Sequence, residues 1–257
     1  MSWIDTHSHL YLDAFDFDRD NCIHRAFQNN VEIILLPNID NISFKKMLNL
    51  ASQFPGKIFP MIGIHPCYVG EHWEQDLQLL KKQYSPQTFK AVGEIGIDLH
   101  WDTSTLEIQK MAFRAQIQWA KEWDLPIVIH SRASTSVIID IIEEEMDPRL
   151  FGVFHCFSGT KEDADRIMHL QQFMLGIGGN ITYKNSSLSS WLKEIPLSKI
   201  VLETDSPYLP PVPYRGKRNE SSYLPLIGQF LSEIYEVPIE LVKSVTTQNA
   251  KEIFKLN

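Results

Sequence analysis

The sequence predicts a (β/α)8 barrel in one domain, residues 1–257. Three observations predict it. Eight short apolar runs recur along the chain, stretches of helical pattern separate them, and no glycine-rich phosphate fingerprint follows the first run. That last point disfavours the rival architecture, an open doubly wound sheet. With 257 residues, 44% of them hydrophobic, the chain can bury a sizeable core.

The runs are WIDTHSH (3–9), VEIILLP (31–37), IFPMIGIH (58–65), KAVGEIGID (90–98), PIVIHSR (126–132), GVFHCFS (152–158), FMLGIGG (173–179) and IVLETDSP (200–207). Their length and β-branched content suit strands covered on both faces. Between them, residues 106–125 place Ile108, Met111, Ala112, Ala115 and Trp119 at the spacing of one helix face. Residues 42–54 and 237–254 read as helices on the same grounds. Internal repeats and low-complexity linkers are absent from the pattern.

Composition narrows the function. A net charge of −8 argues against a broad basic face for duplex DNA. Three scattered cysteines, Cys22, Cys67 and Cys156, suggest no disulfide framework and a reducing, cytoplasmic setting. The first residues carry no basic and apolar signal-peptide pattern, and no apolar run approaches the ~20 residues of a membrane span.

The nine histidines are unevenly placed. His24, His72, His100 and His169 lie away from strand ends, whereas His7, His9, His65, His130 and His155 fall at or near C-terminal strand ends. Glu94 is expected to close the fourth strand and Asp205 the eighth. In a barrel those ends share one mouth, where active sites sit. Strand alternation sends His7 and His9 to the same side, so that they can chelate one ion. Any one of these residues alone has a structural explanation: a hydrogen-bonded histidine, a turn-bonded Glu94, or Asp205 capping the chain before Pro207. Together, His7, His9, Glu94, His130, His155 and Asp205 place ligand-type side chains on five strand ends.

Imidazole and carboxylate donors suit zinc, manganese, iron or nickel better than calcium. Six ligands exceed the three protein donors of a mononuclear catalytic site, which points to two ions bridged by a carboxylate, with Glu94 the choice of bridge. Asp205 has a second role open to it, accepting the proton of an attacking water. A basic run, Arg215, Lys217 and Arg218, follows the eighth strand and should overhang the mouth, where cations can hold a phosphate or carboxylate. Arg132, two residues past His130, is expected to face the same way. Trp101 is placed either to stack on a base or to pack on the barrel rim. Cys156 is expected on the face opposite its neighbour His155, as a buried thiol. Cys67 has no base-and-acid arrangement marking it as a nucleophile.

Seven motifs in this order, IDTHSHL (4–10), GIHP (63–66), GEIGID (93–98), IHSR (129–132), HCFSG (155–159), ETDSP (203–207) and RGKRNE (215–220), resemble those of the TatD-type metal-dependent deoxyribonucleases, barrel relatives of the amidohydrolases. TTQNAKEIF (246–254) is similar to the family's closing helix. The resemblance implies metal binding by the same six residues, Glu94 as bridge, Asp205 as base, and a substrate phosphate touched by His65. It further implies a cytoplasmic, monomeric nuclease that trims single-stranded DNA from the 3′ end. The expected cofactor is two divalent ions per chain, drawn from zinc, magnesium, manganese, nickel or iron. Ala133, Cys67 and Ser221 stand where the family usually has Asp, His and Pro. Two other readings of the site are hydrolysis of a carbonyl ester, lactone or amide, including an aminoacyl-tRNA ester, and a metal-binding barrel without turnover.

Overall fold

A computed structural model describes residues 2–256. Eight parallel strands alternate with helices: β1 (Trp3–Asp5), α1 (Arg19–Gln28), β2 (Val31–Leu36), α2 (Phe44–Gln53), β3 (Ile58–Pro60), α3 (Trp73–Lys81), β4 (Val92–Asp98), α4 (Leu106–Trp123), β5 (Ile127–Arg132), α5 (Thr135–Glu145), β6 (Gly152–Phe154), α6 (Lys161–His169), β7 (Phe173–Ile177), β8 (Ile200–Leu202), α7 (Leu224–Tyr235) and α8 (Ile239–Ile253). The strands form ladders β1-β2-β3 and β4 through β8. Parallel bridges at Ile62–Val92 and Ser8–Ser206 join the two ladders into a closed ring. The molecule is thus the (β/α)8 barrel expected from the sequence.

The alternation breaks once. Between β7 and β8 the chain makes only 3₁₀ turns, including Gly179–Thr182 and Leu188–Ser190, and no α-helix. Ser186, Ser187, Ser189 and Ser190 crowd this segment, and such side chains compete with helical hydrogen bonding.

Two cores follow from strand alternation. Ile4, Leu35, Met61, Ala91, Val128, Val153 and Val201 fill the barrel interior, joined at its floor by Ala250, Ile253 and Phe254 of the C-terminal segment. The alternate residues, such as Ile127, Ile129, Phe154, Leu175 and Leu202, pack outward against the helices. On β5 the interior residue Val128 is followed on the same face by His130 and Arg132; Val153 of β6 is followed by His155, one residue past the strand's end. The floor is apolar, and the same face turns polar toward the strands' C-terminal ends.

Glu94 requires an irregularity. It does not close β4 but is the strand's third residue. Val92, Ile95 and Ile97 all pack outward, which simple alternation forbids. The ladder register shifts between Val92 and Ile95, and this shift turns Glu94 inward.

Helix α4 starts at the predicted residue and ends two residues short of the predicted span, where Asp124 turns left-handed, and its buried face is rotated from the expected one. Met111 is exposed, while Gln109, Ala112, Phe113, Gln116, Ile117 and Ala120 are buried. The polar pair is buried for hydrogen bonding. Asp98 N–H donates to Gln109 Oε1 at 2.8 Å, and Ile64 N–H donates to Gln116 Oε1 at 2.7 Å. Helix α4 thereby anchors two segments that carry side chains of the mouth.

Candidate metal centre

His7 and His9 lie just beyond β1, where the chain runs between β8 and β2. Ser8 N–H donates to Leu35 O, His9 N–H to Ser206 O, and Asp205 N–H to His7 O. These bonds aim both imidazoles at one point, with their Nε2 atoms 3.3 Å apart. Glu94 Oε2 lies 3.1 Å from His7 Nε2 and 3.5 Å from His9 Nε2. Asp205 Oδ1 closes this set at 3.5 Å from His9 Nε2 and 3.8 Å from His7 Nε2.

The other oxygen of Glu94 serves a second set. Oε1 lies 2.8 Å from His130 Nδ1, 3.0 Å from His155 Nε2 and 3.5 Å from His65 Nε2. His155 also stacks on His7, with ring centroids 3.8 Å apart. One buried carboxylate therefore stands between two groups of imidazoles. All six residues expected as ligands are brought together, and His65 sits with them rather than apart.

The electrostatics follow from burial and mutual charge. Burial favours a neutral Glu94, yet His155, His65 and His7 hold its carboxyl well below the usual range. Burial opposes charge on His155, but Glu94 and Glu203 raise its pKa well above normal. Burial and the neighbouring His155 lower His7, and burial with His130 drives His65 down to about 3. His7 and His65, whose pKa values burial lowers, and the ionised Glu94 offer nitrogen and oxygen donors of the kind divalent cations take. His7 Nδ1 is buried without a hydrogen-bond partner among the described residues, which is costly unless the pocket holds something polar. Ligand atoms of His7, His9 and Glu94, and of His65, Glu94 and His130, lie close enough together within each trio to hold an ion.

Three supporting residues escaped the sequence reading. Asp98 Oδ2 lies 2.9 Å from His130 Nε2, and Glu203 Oε1 lies 3.1 Å from His155 Nδ1. Tyr11 OH lies 3.1 Å from His9 Nδ1 and donates to Pro37 O at 2.7 Å. Such partners orient an imidazole and set its tautomer. A period-two signal was available for each: Asp98 is four residues past Glu94, Glu203 two before Asp205, and Tyr11 two past His9.

The Asp205 segment is held by its own clamp. Asp205 has φ +56°, and Asn219, fully buried, donates from Nδ2 to both Thr204 O and Tyr208 O at 2.7 Å. Asp5, from β1, accepts from Thr204 N–H and Thr204 Oγ1–H at 2.9 and 2.7 Å. Burial pushes the Asp5 carboxyl up to about 7.

The cluster forms the base of a cavity of about 670 Å³ whose lining includes Tyr68, Asp98, Trp101, Arg132, Asp205 and Tyr208. Arg132 reaches it as expected, its guanidinium 5.4 Å from the Trp101 ring centre. Trp101 is 75% exposed, so it does not pack on the rim. Cys156 is a correction: with φ +45° it leaves strand geometry and lines the same cavity as His155. Burial raises its thiol pKa well above normal.

The basic run divides. Arg218 makes a two-pronged ion pair with Asp18, both contacts at 2.7 Å, donates to Ala14 O and covers Phe15. Lys217 lies over Tyr214. Neither lines the cavity. Arg215 instead stacks on Tyr183, 4.2 Å from its ring centre, in a neighbouring groove.

A closed (β/α)8 barrel with a buried cluster of imidazoles and carboxylates at its C-terminal mouth is an arrangement suited to a metal-dependent hydrolase. The comparisons with known proteins specify it further. Residues 4–255 match the family model described as TatD related DNase. The chain is 38% identical over 254 residues to the uncharacterized metal-dependent hydrolase YabD of Bacillus subtilis, covering 98% of this chain and 99% of that one. It is 30% identical over 257 residues to the uncharacterized metal-dependent hydrolase YjjV of Escherichia coli, covering 99% and 98%. The crystal structure of YjjV, a TatD homolog, superposes with a TM-score of 0.91 over 99% of this chain and 98% of that one, at 29% identity. A TatD-family hydrolase of Entamoeba histolytica shares the fold, with a TM-score of 0.86 at 22% identity over 100% and 99% of the two chains. The chain belongs to the TatD family.

Proposed function

We propose that the chain hydrolyses phosphodiester bonds, removing nucleotides from the 3′ end of single-stranded DNA with two divalent ions at the barrel mouth. The observation that carries this reading is the division of Glu94, one oxygen toward His7 and His9 and the other toward His130 and His155. His7, His9 and Asp205 would hold one ion, and His130 and His155 the other, with Glu94 shared. Such a pair, drawn from zinc, magnesium, manganese, nickel or iron, lowers the pKa of water and offsets charge on a phosphoryl oxygen.

The chain's own residues supply the rest. Asp205 accepts the proton of the attacking water, and its carboxylate is ready to do so because the hydrogen bond and charges of His9, His155 and His7 outweigh burial and lower its pKa. Asn219 and Asp5 fix the segment that carries Asp205. His65 and Arg132 meet the substrate phosphate. The exposed rings of Tyr68, Trp101 and Tyr208 around the cavity offer faces for unstacked bases, which supports a single-stranded substrate. The family description, TatD related DNase, supports the same bond type.

The test is a time course on 5′-labelled single-stranded DNA with magnesium or manganese, beside Asp205→Asn. A ladder shortening stepwise from the 3′ end, absent in the variant, is expected. Folded, metal-loaded protein that leaves the strand intact would overturn the reading and move the search to carbonyl esters, amides and aminoacyl-tRNA.

A further inference from the structure

Beside the metal cavity lies a second groove of about 260 Å³, lined by Ser158, Asn180, Tyr183, Asn185, Ser186, Ser187, Leu188 and Arg215. It is continuous with the first, because Ser158 and Asn180 line both. It occupies the crossover between β7 and β8, where an α-helix is missing.

Two of its polar groups lack a polar partner among the described residues. Asn180 Oδ1 is buried without a hydrogen-bond partner among the described residues. A buried amide left unpaired is costly unless a ligand or solvent completes it. Arg215 has no carboxylate within ion-pair distance among the described residues, in contrast to Arg218 three residues further along the same loop, which is committed to Asp18. The Arg215 fork is therefore available to an anion.

The groove is braced by hydrogen bonds. The Tyr183 hydroxyl donates to Pro210 O at 2.9 Å, and Val212 N–H donates to Thr182 Oγ1 at 2.9 Å. Gly179 permits this packing, since a Cβ there would lie 2.2 Å from Leu209 O. The ring under Arg215 is thus set in place before any ligand arrives, which lowers the ordering cost of binding.

We propose that this groove is a subsite for the sugar–phosphate unit on the 5′ side of the scissile bond, with Arg215 taking its phosphodiester and Asn180 and the serines its sugar oxygens. The assignment rests on the phosphodiester reading above. It makes the enzyme selective for chains carrying a second phosphate, because Arg215 is engaged only when the sugar on the 5′ side of the bond being cut bears a phosphodiester of its own.

The experiment measures steady-state kinetics of the manganese-loaded protein on the thymidine dinucleotide TpT, with one phosphodiester, and the trinucleotide TpTpT, with two. Arg215→Ala should raise KM for TpTpT about tenfold, the size of one lost charge-assisted contact, with kcat held within about twofold. The KM for TpT should change much less, and Arg215→Lys should recover part of the loss. An equal rise for both substrates, or none for the trinucleotide, overturns the subsite. Should the wild type cleave neither, the phosphodiester reading fails by itself. The groove is then read by fluorescence anisotropy of labelled TpTpT: about tenfold weaker binding by Arg215→Ala supports it, and equal binding by both proteins overturns it.

Discussion

Glu203 Oε1 lies 3.1 Å from His155 Nδ1 and accepts the Cys156 N–H at 2.5 Å, while its Oε2 has no partner among the described residues. The contact is buried and fixes the ring that faces Glu94 from above β6. Glu203→Ala should weaken metal affinity by roughly 10- to 100-fold, because an imidazole loses its orienting partner. Isothermal titration with manganese into metal-free protein measures this, and unchanged affinity would remove Glu203 from the site.

Gly176 makes room for that carboxylate. A Cβ at this position would lie 2.5 Å from Glu203 Oε2 and 3.2 Å from His155 Cα. Gly176→Ala should destabilise the fold by about 1–3 kcal/mol through overpacking. It should also reduce metal affinity in the same direction as Glu203→Ala. Loss of stability with wild-type metal affinity would show that Glu203 can move without consequence.

Glu94→Ala should leave a folded barrel that no longer binds metal at both positions and no longer turns over substrate. Elemental analysis gives the stoichiometry, and circular dichroism checks the fold. Ligands that bind only the native state stabilise it, so adding a chelator should lower the melting temperature of the wild type and scarcely move that of the variant. Equal sensitivity in the two proteins would place the metal elsewhere.

Arg218 stabilises a loop contact. Losing its ion pair with Asp18 in Arg218→Ala should cost about 1 kcal/mol, the scale of a partly exposed pair with good geometry. Urea denaturation measures it. The hydrogen bond from Arg218 lowers the Asp18 pKa to about 2. A carboxylate lowered on folding adds stability above its unfolded pKa of about 3.9 and loses it as pH falls through the folded value. The gap between wild type and Asp18→Asn should therefore be full at pH 6 and narrow as pH falls from about 4 toward 2. A gap that widens on acidification would contradict the pairing.

The chain's order of residues determined the barrel and the membership of the cluster. Eight apolar runs must be buried on both faces, and ligand-type residues near the ends of His130's and His155's strands share a face with interior valines by alternation alone. Tertiary structure decided the rest. Alternation misplaces Glu94, because a register shift in β4 depends on pairing with a strand more than thirty residues away. Neither the commitment of Arg218 to Asp18, 200 positions distant, nor the freedom of Arg215 is visible in a local run of three cations. Cys156 faces the cavity because its backbone takes φ +45°, which side-chain periodicity cannot register. Periodicity reports which side of a regular strand a residue occupies; where the strand shifts or ends, long-range hydrogen bonds and close packing choose the direction.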